Sequence, residues 1–195
     1  LNKSLIRLSM EIFPQDIYIY NDSKHTGTFA NGSIIDFGYC DTEKDVYQYQ
    51  SAEYDVIRFD ELTHFTEFQY IYLLSRCRGA NGFPKAVKSS TNPGGVGHEW
   101  VKKRFIDTCP PYTLYTDEKA KTTRIFIPSL VTDNKFLLNS DPEYLNRLEN
   151  LSEKDKKALR YGEWDIFDGQ YFSEFNRDIH VIKPFPISEE WRYYF

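Results

Sequence analysis

Three observations predict an α/β fold. Short apolar strands alternate with helix-patterned segments, two of those strands end abruptly in polar tips, and the chain turns to highly charged helical patterning after Pro128. In order, "DIYIYN" (Asp16–Asn21) reads as a strand, and "HTGTFANGSIIDFGYC" reads as two strands joined at Asn31-Gly32, a pair suited to positive φ. "DVIRF" is a short, mostly apolar strand of the kind that fills a parallel sheet covered on both faces. "TEFQYIYLLSRCRG" has helical spacing, with Phe68, Ile71, Tyr72 and Ser75 near one face and Gly79 as a stop. "KAVKSS" (Lys85–Ser90) is the next strand, ended by "TNPGGVG". "HEWVKKRFID" (His98–Asp107) follows as a helix with Trp100, Val101 and Phe105 facing inward, and "TTRIFIPS" (Thr122–Ser129) as one more strand. That rhythm is typical of a parallel sheet with crossover helices.

Beyond Pro128, "SDPEYLNRLENLSEKDKKALRYGEW" offers two short charged helices, with Asp141 or Ser140 and Ser152 as N-caps and Gly162 ending the second. "GQYFSEFNRDIHVIKPFPISEEWRYYF" then returns to short extended pieces. Boundaries near residues 135 and 170 divide the chain into 1–135, 136–170 and 171–195.

Composition narrows the function classes. The 195 residues carry a net charge of −5, so any nucleic-acid contact needs a local patch rather than a globally basic surface. Such a bias exists between Arg76 and Arg104, where Arg76, Arg78, Lys85, Lys88, Lys102, Lys103 and Arg104 stand against the single acid Glu99, although a solvated helix face is the better explanation of Lys102-Lys103. Cys40, Cys77 and Cys109 have neither metal-ligand spacing nor an even count, which favours a reducing compartment. No apolar run reaches the roughly 18 residues of a membrane span. The chain opens on Leu1, which suggests a piece of a longer protein.

Two strand tips carry the chemistry. "YDVIRFDELTHF" (Tyr54–Phe65) drives an apolar strand into Asp60-Glu61, adjacent carboxylates at the strand's carboxyl end, where open α/β sheets hold their ligands. In Walker-type nucleotide hydrolases the first acid holds the Mg²⁺ shell and the second orients the attacking water. The same pair also suits the first turn of a helix. About thirty residues on, "VKSSTNPGG" ends a second strand in Ser89, Ser90, Thr91 and Asn92, short hydroxyl and amide groups able to bond a γ-phosphate or its attacking water; Asn-Pro-Gly is also ordinary turn chemistry. His25, His64, His98 and His180 are scattered, and His64 alone stands near the acids, with no second histidine at ligand spacing.

"VIRFDELTHF", "LLSRCRG" and "SSTNPGGVGHEWVKKRF" together resemble the large terminase subunit of tailed bacteriophages, and the resemblance continues through "DPEYLNRLENLSEKDKKALRYGEWDIFDGQYFSEF" with its Gly162-Glu163-Trp164 landmark. It implies the distal part of a P-loop-type parallel-sheet ATPase domain (1–135), a small helical linker (136–170) and the start of an RNase H-like nuclease domain (171–195). The activity implied is that of an ATP-driven motor packaging viral DNA into the procapsid, with an endonuclease downstream. Asp60 then matches the Walker B acid, holding Mg²⁺ through water, and Glu61 the catalytic glutamate. Ser90, Thr91 and Asn92 match the segment that couples hydrolysis to movement. Arg76 and Arg78 are candidates for phosphate sensing or a finger toward a neighbouring subunit, although an arginine in a helix's last turn is also explained by the dipole. The implied cofactors are ATP and Mg²⁺. The implied partners are double-stranded viral DNA, the portal protein, the small terminase subunit and further copies in a ring, in the cytoplasm of a host carrying the phage or prophage.

None of the ten glycines is followed by lysine, so the Gly-Lys-Ser/Thr loop that cradles phosphates is not in this sequence, and these residues alone are expected to be inactive as an ATPase. Two other classes remain open: a non-catalytic module docking the portal or other packaging subunits, and a stand-alone Mg²⁺-dependent phosphohydrolase built on Asp60 and Glu61.

Overall fold

The computed structural model describes residues 3–166, 177–181 and 183. Its first unit is helix α1 (Lys3–Ile12) set against an antiparallel meander of β1 (Tyr18–Asn21), β2 (Thr26–Phe29) and β3 (Ile34–Asp36). The register pairs Tyr18 with Phe29 and Thr26 with Asp36, and Gly32 closes the β2–β3 turn at φ +85°. Tyr18 is buried against Phe13 and Phe29, ring centroids 5.1 and 4.9 Å away, and its hydroxyl lies 3.0 Å from Ser9 Oγ on α1.

The second unit is a parallel pair, β4 (Val56–Phe59) and β5 (Ala86–Ser89), in register from Val56–Ala86 to Phe59–Ser89. The crossover between them contains α2 (Glu67–Leu74), started by a capping box in which the Thr66 hydroxyl accepts from the Gln69 N–H and Gln69 Oε1 accepts from the Thr66 N–H. After β5 comes α3 (His98–Val101), which widens into a π-turn over Lys102–Ile106. Val46, Phe59, Leu62, Tyr70, Leu73, Val101 and Trp164 form one buried cluster here. Aromatic contacts thread it, Phe59 with Phe65 and Tyr70 at 5.1 and 5.3 Å, and Tyr70 with Trp100 at 5.0 Å.

Beyond α3 the chain forms an antiparallel hairpin, β6 (Tyr115–Asp117) and β7 (Thr122–Arg124). Three short helices follow, α4 (Lys135–Ser140), α5 (Tyr144–Glu149) and α6 (Glu153–Leu159), and a further turn of helix, α7 (Arg177–His180), stands among the last described residues. Ser152 caps α6 as its spacing suggests, accepting from the Asp155 N–H at 3.1 Å, and Gly162 turns the chain after it at φ +62°. No helix among the described residues is long and apolar enough to cross a membrane.

The mixed α/β class is as the sequence suggests, with five differences. The parallel sheet has two strands among the described residues, and one of its faces is open: Val56 is 43% exposed and lines a cleft of about 1810 Å³ between the pair and the meander. Thr122–Ser129 is strand only over Thr122–Arg124 and pairs with β6, because Asp117 Oδ1 accepts from the Lys119 and Ala120 N–H groups and folds the chain back at once. The inward face of α2 is Gln69, Tyr70 and Leu73, whereas Phe68 and Ile71 face solvent; Gln69 is drawn in by its bonds to Thr66 and to the Cys40 carbonyl at 3.1 Å. Asp141 ends α4 rather than starting α5, and its carboxylate pairs with Arg147. Of the 171–195 region, residues 177–181 and 183 are described and the rest lie outside the described residues; 177–180 are helical where extended chain was expected.

Candidate active site at the carboxyl ends of the parallel strands

The ladder between β4 and β5 does not stop with the strands. Ser90 N–H donates to the Phe59 carbonyl at 3.0 Å and Leu62 N–H to the Ser90 carbonyl at 2.9 Å, so the two tips stay side by side past the sheet. Thr63 continues the join. Its N–H donates to Thr91 Oγ1 at 3.0 Å, its hydroxyl donates to the Asn92 carbonyl at 3.0 Å, and its carbonyl accepts from the Gly97 N–H at 2.7 Å. Gly95 lies so close to this backbone that a Cβ there would stand 2.7 Å from the Thr63 oxygen, which, with its φ of +77°, makes glycine the residue that fits.

This clamp aims the acids. Ser90 Oγ donates to Asp60 Oδ1 at 3.1 Å. The Asn92 backbone N–H donates to Glu61 Oε2 at 3.3 Å and its side-chain amide to Glu61 Oε1 at 3.3 Å. Asp60 is exposed and Glu61 half-exposed, both on the wall of the open cleft. Burial of bare charge is therefore not the cost borne here, contrary to what the apolar run leading into the acids suggests. The cost lies in the backbone instead: Glu61 has φ +55° and ψ +65°, a left-handed conformation that disfavours a long side chain. That conformation reverses the chain between β4 and the turn Leu62–His64 while leaving the carboxylate facing Asn92. Non-glycine residues held in this region cluster at functional sites.

Asp60, Glu61, Ser90, Thr91 and Asn92 are thus brought together. Arg76 and Arg78 are not among them. They lie at the amino end of β4, where the Arg76 carbonyl accepts from the Tyr54 N–H at 3.0 Å, its guanidinium binds the Gln50 carbonyl and stacks over Tyr72, and Arg78 stands 3.6 Å from Glu53. The basic run is likewise divided among separate partners, Lys85 with Asp55 at 2.7 Å, Lys102 with Asp107 and Asp165 at 2.8 and 3.2 Å, and Arg104 over Tyr70.

No group of three or more His, Cys, Asp or Glu residues that could hold a metal exists among the described residues, so Asp60, Glu61 and His64 do not form a metal cage. An exposed carboxylate with a hydroxyl at 3.1 Å fits a different role, since Mg²⁺ commonly keeps several waters and takes one or two carboxylates together with substrate phosphates.

One residue of this neighbourhood has no sequence signal. His98, the first residue of α3, accepts the Gly94 N–H on Nδ1 at 2.9 Å and stacks on Trp164, centroids 5.5 Å apart and planes 25° apart. Its position just after the glycine-rich loop is visible in the sequence, but the partner ring lies far along the chain.

A family model described as phage terminase large subunit matches residues 10–163, which include every candidate residue above. No curated protein and no solved structure matches the chain.

Proposed function

Because the chain belongs to the phage terminase large subunit family, we propose that it carries the water-activating side of the ATP-hydrolysing site that drives viral DNA packaging. The observation that supports this most is the pairing of the two strand tips, with Glu61 hydrogen-bonded by Asn92 and Asp60 by Ser90. Glu61 accepts the proton of, or orients, the water that attacks the γ-phosphate in line. Asn92 fixes the carboxylate's direction and senses whether phosphate is present, since its amide can bond one or the other. Asp60 and Ser90 anchor the water shell of Mg²⁺, which when bound neutralises charge on the phosphates. Phosphate cradling comes from a Gly-Lys-Ser/Thr loop outside these 195 residues, and positioning supplies most of the rate in phosphoryl transfer.

In this reading residues 1–135 are the distal part of a P-loop-type ATPase domain, 136–170 the linker and 171–195 the entrance to the nuclease. The working assembly is a ring of copies on double-stranded DNA at the portal, with the small subunit, in the host cytoplasm.

The test is steady-state ATP hydrolysis by the complete large subunit. Glu61→Gln lowers kcat by about 10²- to 10⁴-fold, the range for loss of a general base, with nucleotide binding retained. A kcat within about threefold of the parent would remove Glu61 from the reaction. These 195 residues alone hydrolyse ATP no faster than background, and robust turnover abolished by Glu61→Gln would show that no outside loop is needed.

A further inference from the structure

The hydrogen bonds around Glu61 do not end at Asn92. Two residues on, the Gly94 N–H donates to His98 Nδ1 at 2.9 Å. Because Nδ1 accepts, the ring proton sits on Nε2, and Nε2 is buried with no hydrogen-bond partner among the described residues. The imidazole is therefore held by two contacts, the bond to Gly94 on one side and the stack on Trp164 on the other. Both residues are buried, His98 at 8% and Trp164 at 9% exposure, so neither ring can turn away without opening the core. One turn further along, Lys102 binds Asp165 at 3.2 Å, and Trp164 also meets Phe126 at right angles, ring centroids 6.4 Å apart. The loop is open at Gly94, where nothing lies within 4 Å of a Cβ position, and tight at Gly95, which packs on the Thr63 carbonyl.

We propose that His98 is a positioning residue that links the Glu61-facing loop, Asn92–Gly97, to Trp164, so that a change in the Glu61–Asn92 contact is registered at the Gly162-Glu163-Trp164 segment and the reverse. The role in motion rests on the ATPase reading above; the link itself does not. A loop displaced at Asn92 pulls the Gly94 N–H, the imidazole follows its only polar partner among the described residues, and the stacked indole moves with it. Neighbouring routes are poorer. The Thr63 bonds run back into the clamp, and the Trp100 Nε1–H is fixed on the Phe65 carbonyl at 2.9 Å.

Two substitutions sever one contact each. His98→Asn keeps an acceptor near the Nδ1 position and loses the stack; His98→Phe keeps the stack and loses the acceptor. The experiment uses these 195 residues without nucleotide and follows the Trp164 indole N–H by two-dimensional NMR, assigned with Trp164→Phe. Asn92→Ala is expected to shift that resonance in the parent chain, and the shift is expected to fall at least fivefold in both His98 variants. An unmoved Trp164 signal, or an equal shift in His98→Phe, overturns the proposal. Should the His98 variants fail to fold, Trp164→Leu against Trp164→Phe asks the question in reverse. The Gly94 amide and Asn92 side-chain resonances move in the leucine variant and stay in the phenylalanine variant, and the absence of movement in Trp164→Leu is equally fatal. Since no nucleotide enters, failure here leaves the ATPase reading intact, and an inert Glu61→Gln leaves this link intact.

Discussion

At the amino end of β4, Asp55 accepts from Lys85 Nζ at 2.7 Å and from Asn81 Nδ2 at 2.8 Å, and Glu53 lies beside Arg78. At its carboxyl end, Asp60 and Glu61 take hydrogen bonds from the neutral groups of Ser90 and Asn92. The same sheet thus holds two pairs of acids in opposite ways. Cations close the first pair into a staple that joins the crossover to β5. Neutral groups of the neighbouring strand tip aim the second pair along the wall of the cleft. On the proposed reading the donors, rather than acid content, set the candidate site apart from the surface.

The two ends are expected to differ most when the same chemical change is made at both. In the complete subunit, Glu61→Gln lowers ATP turnover by about 10²- to 10⁴-fold, while Asp55→Asn leaves turnover within about twofold. Equal losses would mean that both ends serve the reaction, and the arginines at the amino end would then regain a claim on it.

A second contrast concerns what each end costs the fold. Leu62, directly after the acids, is 2% exposed and belongs to the main cluster. Leu62→Ala is expected to lower unfolding free energy by about 2–5 kcal/mol, read from urea denaturation, because the clamp at Thr63 prevents the backbone from collapsing into the space. A loss below about 1 kcal/mol would show that the tip is not rigidly held.

Strain at Glu61 gives the third. With φ +55° here, Glu61→Gly relieves a conformation that Glu61→Ala retains, so the glycine variant is expected to be more stable than the alanine variant by about 1 kcal/mol. Neither variant supports hydrolysis. At an ordinary turn such a gain would be selected freely; on the proposed reading stability and activity part here. An alanine variant as stable as the glycine one would remove strain from the account.

The sequence shows which residues meet at the candidate site better than it shows the fold that carries them. Asp60-Glu61 and Ser90–Asn92 are legible because strand tips are local: an apolar run that ends in polar residues marks its own end, and two such runs joined by a helix must lie parallel. The face of α2 is not legible. Its apolar spacing favours Phe68 and Ile71, but Gln69 is turned inward by a cap and a carbonyl from outside the helix, which periodicity does not register. Ile125–Ser129 misleads for a similar reason. Its alternation is that of a strand, yet beyond Arg124 the ladder stops, and Tyr112 supplies one bond to the Phe126 carbonyl at 2.9 Å while Ile127 is 61% exposed. His98 carried no signal because its two contacts, a glycine amide and a distant indole, depend on tertiary placement alone.

The smallest expected effect is a pH dependence at the amino end. The hydrogen bond from Lys85, then that from Asn81, hold the Asp55 carboxyl below its ordinary value of 3.8. A carboxyl lowered in the folded state binds protons less readily there than in the unfolded chain, so its contribution to stability is full above 3.8 and is lost as pH falls through the folded value. The group is substantially exposed, and solvent screening keeps the contribution small. Asp55→Asn removes this titration, and with it part of the fall in stability on acidification. Urea midpoints measured from about pH 5 down to about pH 2 should therefore decline less steeply in Asp55→Asn than in the parent, while the two stay parallel near neutrality. Parallel curves through the acid range would mean that the staple is no better formed in the folded chain than out of it, and the contrast between the two ends of β4 would then rest on the donors of Glu61 alone.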